Sequence, residues 1–216
     1  LSKGFFIVLE GPDGSGKSTQ AELLFEKLSD DGYSCVRTEE PGGTFEGEKI
    51  RDLLLNPDFN LCPKSELFLF LADRAEHVDR IIKPGLSEGK IVICSRYLYS
   101  TLVYQGFARQ IMEIDFLKKI NMFAVNNIEP DLVFFLDIIP EKGLSKAREN
   151  SSLKYKFRNG DRIEMEGIEF QQRVREGYLQ LASEYSSIFT IVKGGRSREE
   201  INNDIYILTK RRLQND

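Results

Sequence analysis

The residues 11–18, Gly11-Pro12-Asp13-Gly14-Ser15-Gly16-Lys17-Ser18, put two glycines, Gly11 and Gly16, with four residues between them and follow them with a lysine and a hydroxyl side chain. A glycine-rich turn of this kind turns backbone N–H groups toward anionic oxygens, its lysine reaches outer phosphates, and its serine can ligate Mg²⁺. The chemistry expected is therefore the handling of a nucleoside triphosphate such as ATP. Lys17 and Ser18 act on phosphates and metal, and Gly11, Asp13, Gly14, Ser15, Gly16 and Thr19 surround them. The competing reading is a glycine-rich turn with a surface lysine.

The flanking elements argue against that competitor. Residues 5–9 are a short apolar run suited to a buried strand, and Leu23, Leu24, Phe25 and Leu28 recur at helical spacing after the loop. Strand, loop and helix thus come in the order that aims a helix N-terminus at phosphate. Further strands are expected at 33–38, 90–94, 132–137 and 188–192, with helices between them at about 46–55, 65–84 and 169–185, and a last one at 198–212. That alternation predicts a three-layer α/β fold with a parallel sheet.

Two of these strands deliver polar segments from their carboxyl ends, where open α/β sheets bind ligands. One is Glu39-Glu40-Pro41-Gly42-Gly43-Thr44; the other begins Ser95-Arg96-Tyr97 and places Arg96 in the same crevice as Lys17. The helix at 65–84, with Ser65 as its expected cap and Pro84-Gly85 as its break, carries an apolar stripe from Leu67 to Ile82 with Arg74 in the middle. A guanidinium there is snorkelling, paired with a carboxylate such as Asp73 or Glu76, or facing a ligand. Phe70, one turn before it, is either core or a surface on which a base stacks.

With 216 residues, 41% of them hydrophobic and 30% charged, the chain has the composition of one domain, without a run apolar enough to span a membrane. A net charge of −4 weighs against a dedicated nucleic-acid binder. Cys35, Cys62 and Cys94 are expected to be reduced core residues of a cytoplasmic protein, with no signal sequence before the first strand. His77, the single histidine, disfavours a histidine metal site or a Ser-His-Asp triad. The stretch 148–162, with Arg148, Lys154, Lys156, Arg158 and Arg162 among few apolar residues, is a solvated face or a lid carrying charge to a phosphate.

Taken in order, EGPDGSGKSTQ, EEPGGT with EKIRDLL, FLFLADRAEHV, RYLYSTLVYQG, PDLVFFLDI and DRIE resemble the bacterial thymidylate kinases from about Phe5 to the last helix. The resemblance implies a P-loop nucleoside monophosphate kinase fold with a five-stranded parallel sheet flanked by helices, commonly a homodimer. It implies transfer of the γ-phosphoryl of ATP to dTMP with Mg²⁺. It also implies roles: Asp13 near the acceptor's sugar and phosphate, Phe70 on thymine, Arg74 at thymine O4, Ser100, Thr101, Tyr104 and Gln105 in the base and sugar pocket, and Arg51 and Arg96 on the acceptor phosphate. Gly14 places the chain among members whose lid supplies the catalytic arginine, Arg158 first, then Arg148 and Arg162. Two departures stand out: Ser95 replaces the family's aspartate, which helps organise the waters of Mg²⁺, and the basic segment is longer around 151–157. The alternatives are a kinase for another nucleoside or monophosphate, or a nucleotide-binding module with weak catalysis. Asn126-Asn127-Ile128-Glu129 does not fit a GTPase signature.

Overall fold

Strand β1 (Phe5–Glu10) is buried along its length, and its side chains divide between two cores: Phe6 and Val8 on one face of the sheet, Phe5, Ile7 and Leu9 on the other. Burial on both faces is what its unbroken apolar run encodes. The computed structural model describes residues 4–154 and 161–215, with side chains to 147 in the first stretch and to 214 in the second. β1 lies at the centre of a five-stranded parallel sheet of order β2-β3-β1-β4-β5, formed with β2 (Cys35–Glu39), β3 (Ile91–Ser95), β4 (Leu132–Asp137) and β5 (Phe189–Lys193). Helices α1 (Lys17–Asp30) and α9 (Arg198–Asn215) cover one face through Ala21, Leu24, Leu28, Ile201 and Ile205. The other face takes α2 (Phe45–Leu55), α3 (Pro63–His77), α6 (Ile114–Ala124) and α8 (Ile168–Glu184), through residues such as Leu54, Leu67, Leu117 and Val174. The three-layer parallel architecture expected from the sequence is the one observed.

Four local expectations change. Helix α3 starts at Pro63 behind Cys62, not at Ser65, and Pro84-Gly85 does not end the helical path. One turn of π-helix (Val78–Ile82) intervenes, with the Lys83 N–H bonded to the Val78 carbonyl, and α4 (Lys83–Ser87) continues the path with Pro84 in its first turn. Cys94 is buried and Cys35 half-buried, but Cys62 is exposed, so only two of the three thiols touch the core. After β3 the chain forms α5 (Leu98–Thr101) and a π-helical turn (Leu102–Ala108). Finally, α7 (Pro140–Lys154) absorbs the first half of the basic segment. It is held by a narrow strip that includes Leu144 and Ala147, too few apolar positions to mark a helix in the sequence.

Candidate active site

The loop between β1 and α1 is left-handed or extended at its glycines: φ is 149° at Gly11, 71° at Gly14 and 93° at Gly16, which caps α1. A Cβ on Gly14 would lie 1.9 Å from the carbonyl oxygen of Gly143 in α7. No side chain, charged or not, fits there, which gives a steric reason for a loop without its own arginine. Lys17 is buried, with Nζ donating to the carbonyls of Gly11 at 2.9 Å and Pro12 at 2.8 Å and to Ser15 Oγ at 3.3 Å. Burial, then the charge of Arg96, lowers its pKa to about 7, against the pull of Asp13 and Glu10.

That shift has a sign. Between about pH 7 and 10.5 the unfolded chain holds a proton on Lys17 that the folded chain lacks, so this group makes stability rise with pH across that window. Phosphate beside Nζ restores the ammonium. Binding of a non-hydrolysable ATP analogue at about pH 8.5, where a phosphate with a pKa near 6 is already ionised, is expected to take up close to one proton. Calorimetry in buffers of different ionisation enthalpy measures it; equal uptake by Lys17→Met would refute the assignment to this lysine.

Across the crevice, Arg96 follows β3 with φ 70°, a left-handed non-glycine backbone held by its N–H on the Leu9 carbonyl at 2.9 Å. Its guanidinium donates to the Asp13 carboxylate, to the Gly11 carbonyl at 3.3 Å and to Ser100 Oγ at 3.4 Å, and lies 5.0 Å from the centre of the Tyr104 ring. Gln171 holds the other oxygen of Asp13 at 2.9 Å. The Ser100 hydroxyl donates to Glu10 at 2.7 Å, so it braces the turn that carries Arg96. Glu10 is fully buried and also accepts the N–H groups of Tyr97 and Ser100 and the Tyr178 hydroxyl. Burial pushes its carboxyl up, and the Ser100 bond and the Arg96 charge pull it back.

Arg74 is 1% exposed, and its partner is neither Asp73 nor Glu76. Nε donates to Glu40 at 2.8 Å, Nη1 to Thr101 at 2.6 Å and to Asn121 at 2.7 Å, and Nη2 to the Tyr97 carbonyl at 3.0 Å. Four of the five N–H groups of a guanidinium are thereby used, and the residue still lines the cavity. Asp73 instead accepts the Gly42 N–H, and Glu76 pairs with Arg80. The second oxygen of Glu40 receives His77 Nδ1 at 3.0 Å, while His77 Nε2 meets the Thr38 hydroxyl at 2.6 Å. Arg51 donates to the Pro41 carbonyl in the same loop. Glu40, His77 and Asn121 were not among the expected site residues. Two of them left a signal: Glu40 lies in the polar segment 39–44 that follows a strand, and His77 falls one turn after Arg74 on the same helix face.

Phe70, Arg74, Thr101, Tyr104 and Gln105 line one end of a cavity of about 650 Å³ whose other end holds Lys17, Ser18 and Thr19, with Asp13, Arg51, Arg96 and Ser100 also on its wall. That volume suits a small-molecule site. Gln105 Nε2 is tied to Glu66 at 2.8 Å, as are Arg109 and Arg162. Arg162 also donates to the Leu54 carbonyl, so it is a brace at the end of the basic segment and not one of its free cations. Arg158 and the side chain of Arg148 lie outside the described residues.

The thymidylate kinase family model matches residues 9–205, both ends of this cavity included. The chain belongs to the thymidylate kinase family. A thymidylate kinase of Halothermothrix orenii is 46% identical over 204 residues, 94% of this chain and 95% of that one, and one of Synechococcus sp. is 42% identical over 208 residues, 96% of each. A crystal structure of thymidylate kinase from Ehrlichia chaffeensis superposes with a TM-score of 0.76 at 30% identity, covering 95% of this chain and 98% of that one.

Thymidylate kinases use ATP and Mg²⁺, and the side chains beside Lys17 fit that ion. Ser18 opens α1 beside Lys17, and its Oγ donates to Glu39 Oε2 at 3.4 Å. Mg²⁺ prefers oxygen ligands, keeps several waters and takes one or two protein groups together with substrate phosphates. Ser18 and a nearby carboxylate fit that pattern; among the described residues no three-residue His, Cys, Asp or Glu cage occurs. When bound, the ion offsets phosphate charge.

Proposed function

We propose that this chain transfers the γ-phosphoryl group of ATP to thymidine 5′-monophosphate, giving ADP and dTDP. What supports it most is one cavity with a phosphate-loop lysine at one end, an aromatic ring and a buried guanidinium at the other, and Arg96 between. An oxygen of the acceptor phosphate attacks the γ-phosphorus as its bond to the β,γ-bridging oxygen breaks. With a second pKa near 6 the acceptor is about nine-tenths dianion at pH 7, so no strong base is required; positioning and charge neutralisation are. Lys17 leaves its own carbonyls for the donor phosphates. Arg96 and Arg51 take the acceptor phosphate, and Asp13, fixed between Arg96 and Gln171, orients Arg96 and the sugar end. Phe70 stacks on the base and Arg74, with Thr101, Tyr104 and Gln105, closes the pocket.

A coupled ADP-release assay with ATP, Mg²⁺ and each nucleoside monophosphate in turn tests the reading: turnover with dTMP far above the rest is expected, and a preference for another acceptor overturns it. Arg158 is the proposed lid arginine, so the same assay with Arg158→Ala should lose turnover while ATP binding persists.

We read residues 1–216 as one domain that works as a homodimer, because Phe68 on α3 and Phe116 and Phe123 on α6 are 65%, 50% and 87% exposed, and α3 packs beside α6. Exposed aromatic rings gathered on neighbouring helices suit an interface. Phe123→Glu is expected to halve the mass seen by light scattering; a wild-type protein that runs as a monomer ends this reading. The free thiols fit a reducing cytoplasm, and no described helix is long and apolar enough to cross a membrane.

A further inference from the structure

One carboxylate at the donor end comes from β2 and meets Ser18. Glu39 and Ser95 are register partners at the carboxyl ends of β2 and β3, on neighbouring strands about 4.8 Å apart. Both line the cavity with Lys17 and Ser18. Ser95 is buried with a side chain too short to reach across. Glu39 is half-buried, and its Oε2 accepts the Ser18 hydroxyl at 3.4 Å. Among the described residues that is its one side-chain hydrogen bond, and no lysine or arginine pairs with it: Arg37 is taken by Glu22 and Arg74 by Glu40.

Such a carboxylate conflicts with the ligand unless a cation stands between them. Like charges at short range in a partly dehydrated cleft repel, and a triphosphate on Lys17 would face Glu39 directly. A divalent cation resolves the conflict, and the direction of the Ser18 bond suits it. A hydroxyl that donates to a carboxylate keeps its lone pairs for a metal, and such an acceptor fixes the ligand's orientation and raises its basicity.

We propose that Glu39 is the carboxylate that positions Mg²⁺ in this enzyme, orienting Ser18 and accepting from the waters of the ion. It supplies from β2 the carboxylate that Ser95 does not supply from β3. The inference rests on reading the loop around Lys17 as the donor site, and the first arm of the test checks that separately.

The measurement is equilibrium binding of a non-hydrolysable ATP analogue to the full chain, with excess Mg²⁺ and with EDTA. The ratio of the two affinities is the coupling between metal and nucleotide. Wild type must bind the analogue in Mg²⁺; if it does not, the donor-site reading itself fails. Glu39→Gln is expected to lower the ratio about tenfold or more, while binding in EDTA is unchanged or tighter because a repelling charge has gone. A purely structural residue would weaken both arms equally, and that result, or an unchanged ratio, overturns the proposal. Glu39→Gln/Ser95→Asp is expected to regain most of the lost coupling, and a ratio that stays low overturns the exchange between strands.

Discussion

Replacing Arg96 with alanine lowers kcat for dTMP phosphorylation by roughly a thousandfold or more, the scale on which a single arginine serving phosphoryl transfer acts. Arg96→Lys is expected to recover little of it. The guanidinium serves Asp13, the Gly11 carbonyl and Ser100 together, and one ammonium cannot keep that planar fork while it meets a phosphate. The backbone provides a second readout. With φ 70°, Arg96 occupies a region that disfavours any residue with a Cβ by about 1–2 kcal/mol, a cost sustained because the left-handed turn points the side chain back toward the phosphate loop. Arg96→Gly and Arg96→Ala should therefore be equally inactive, while the glycine variant is the more stable by about 1 kcal/mol in denaturant unfolding. Steady-state kinetics decides the first claim: a lysine variant within twofold of wild type removes Arg96 from the chemistry.

Which parts of this site were legible in the sequence follows from how far apart their residues lie. The phosphate loop is eight consecutive residues between a strand and a helix, so its function survives in one dimension. The environment of Arg74 does not. Its partners Glu40, Thr101 and Asn121 are 34, 27 and 47 residues away, and helical periodicity proposed only near neighbours. Glu10 lies just beyond the apolar run 5–9 and carried no signal of its own, yet it is buried beneath four donors from two distant segments. Pro84 read as a helix stop because a π-turn, which shifts the phase ahead of it, has no composition of its own. Gly14 is the reverse case. Its lack of charge was visible, but the reason lies in the Gly143 carbonyl, 129 positions on, which leaves no room for a side chain.

Arg74→Met separates the two things that this arginine does. It leaves Glu40 buried without a cation, and breaking a buried pair from one side costs about 3–5 kcal/mol, a large part of the roughly 5–15 kcal/mol that holds a domain folded. Denaturant unfolding should show a loss of that size, and dTMP should bind more weakly because a pocket wall is gone. Adding Glu40→Gln removes the stranded charge, so the double variant is expected to regain at least about 1–2 kcal/mol. It regains no affinity for dTMP, since a glutamine amide at position 40 cannot reproduce the place of the guanidinium on the cavity wall. If KM for dTMP returns with stability, Arg74 acts through the fold alone and its place on the cavity wall carries no recognition. If Arg74→Met unfolds within 1 kcal/mol of wild type, the bonds to Glu40, Thr101 and Asn121 serve geometry more than stability. The stability recovery and the unrecovered KM together assign Arg74 both roles, and they do so because Glu40, not the substrate, neutralises it.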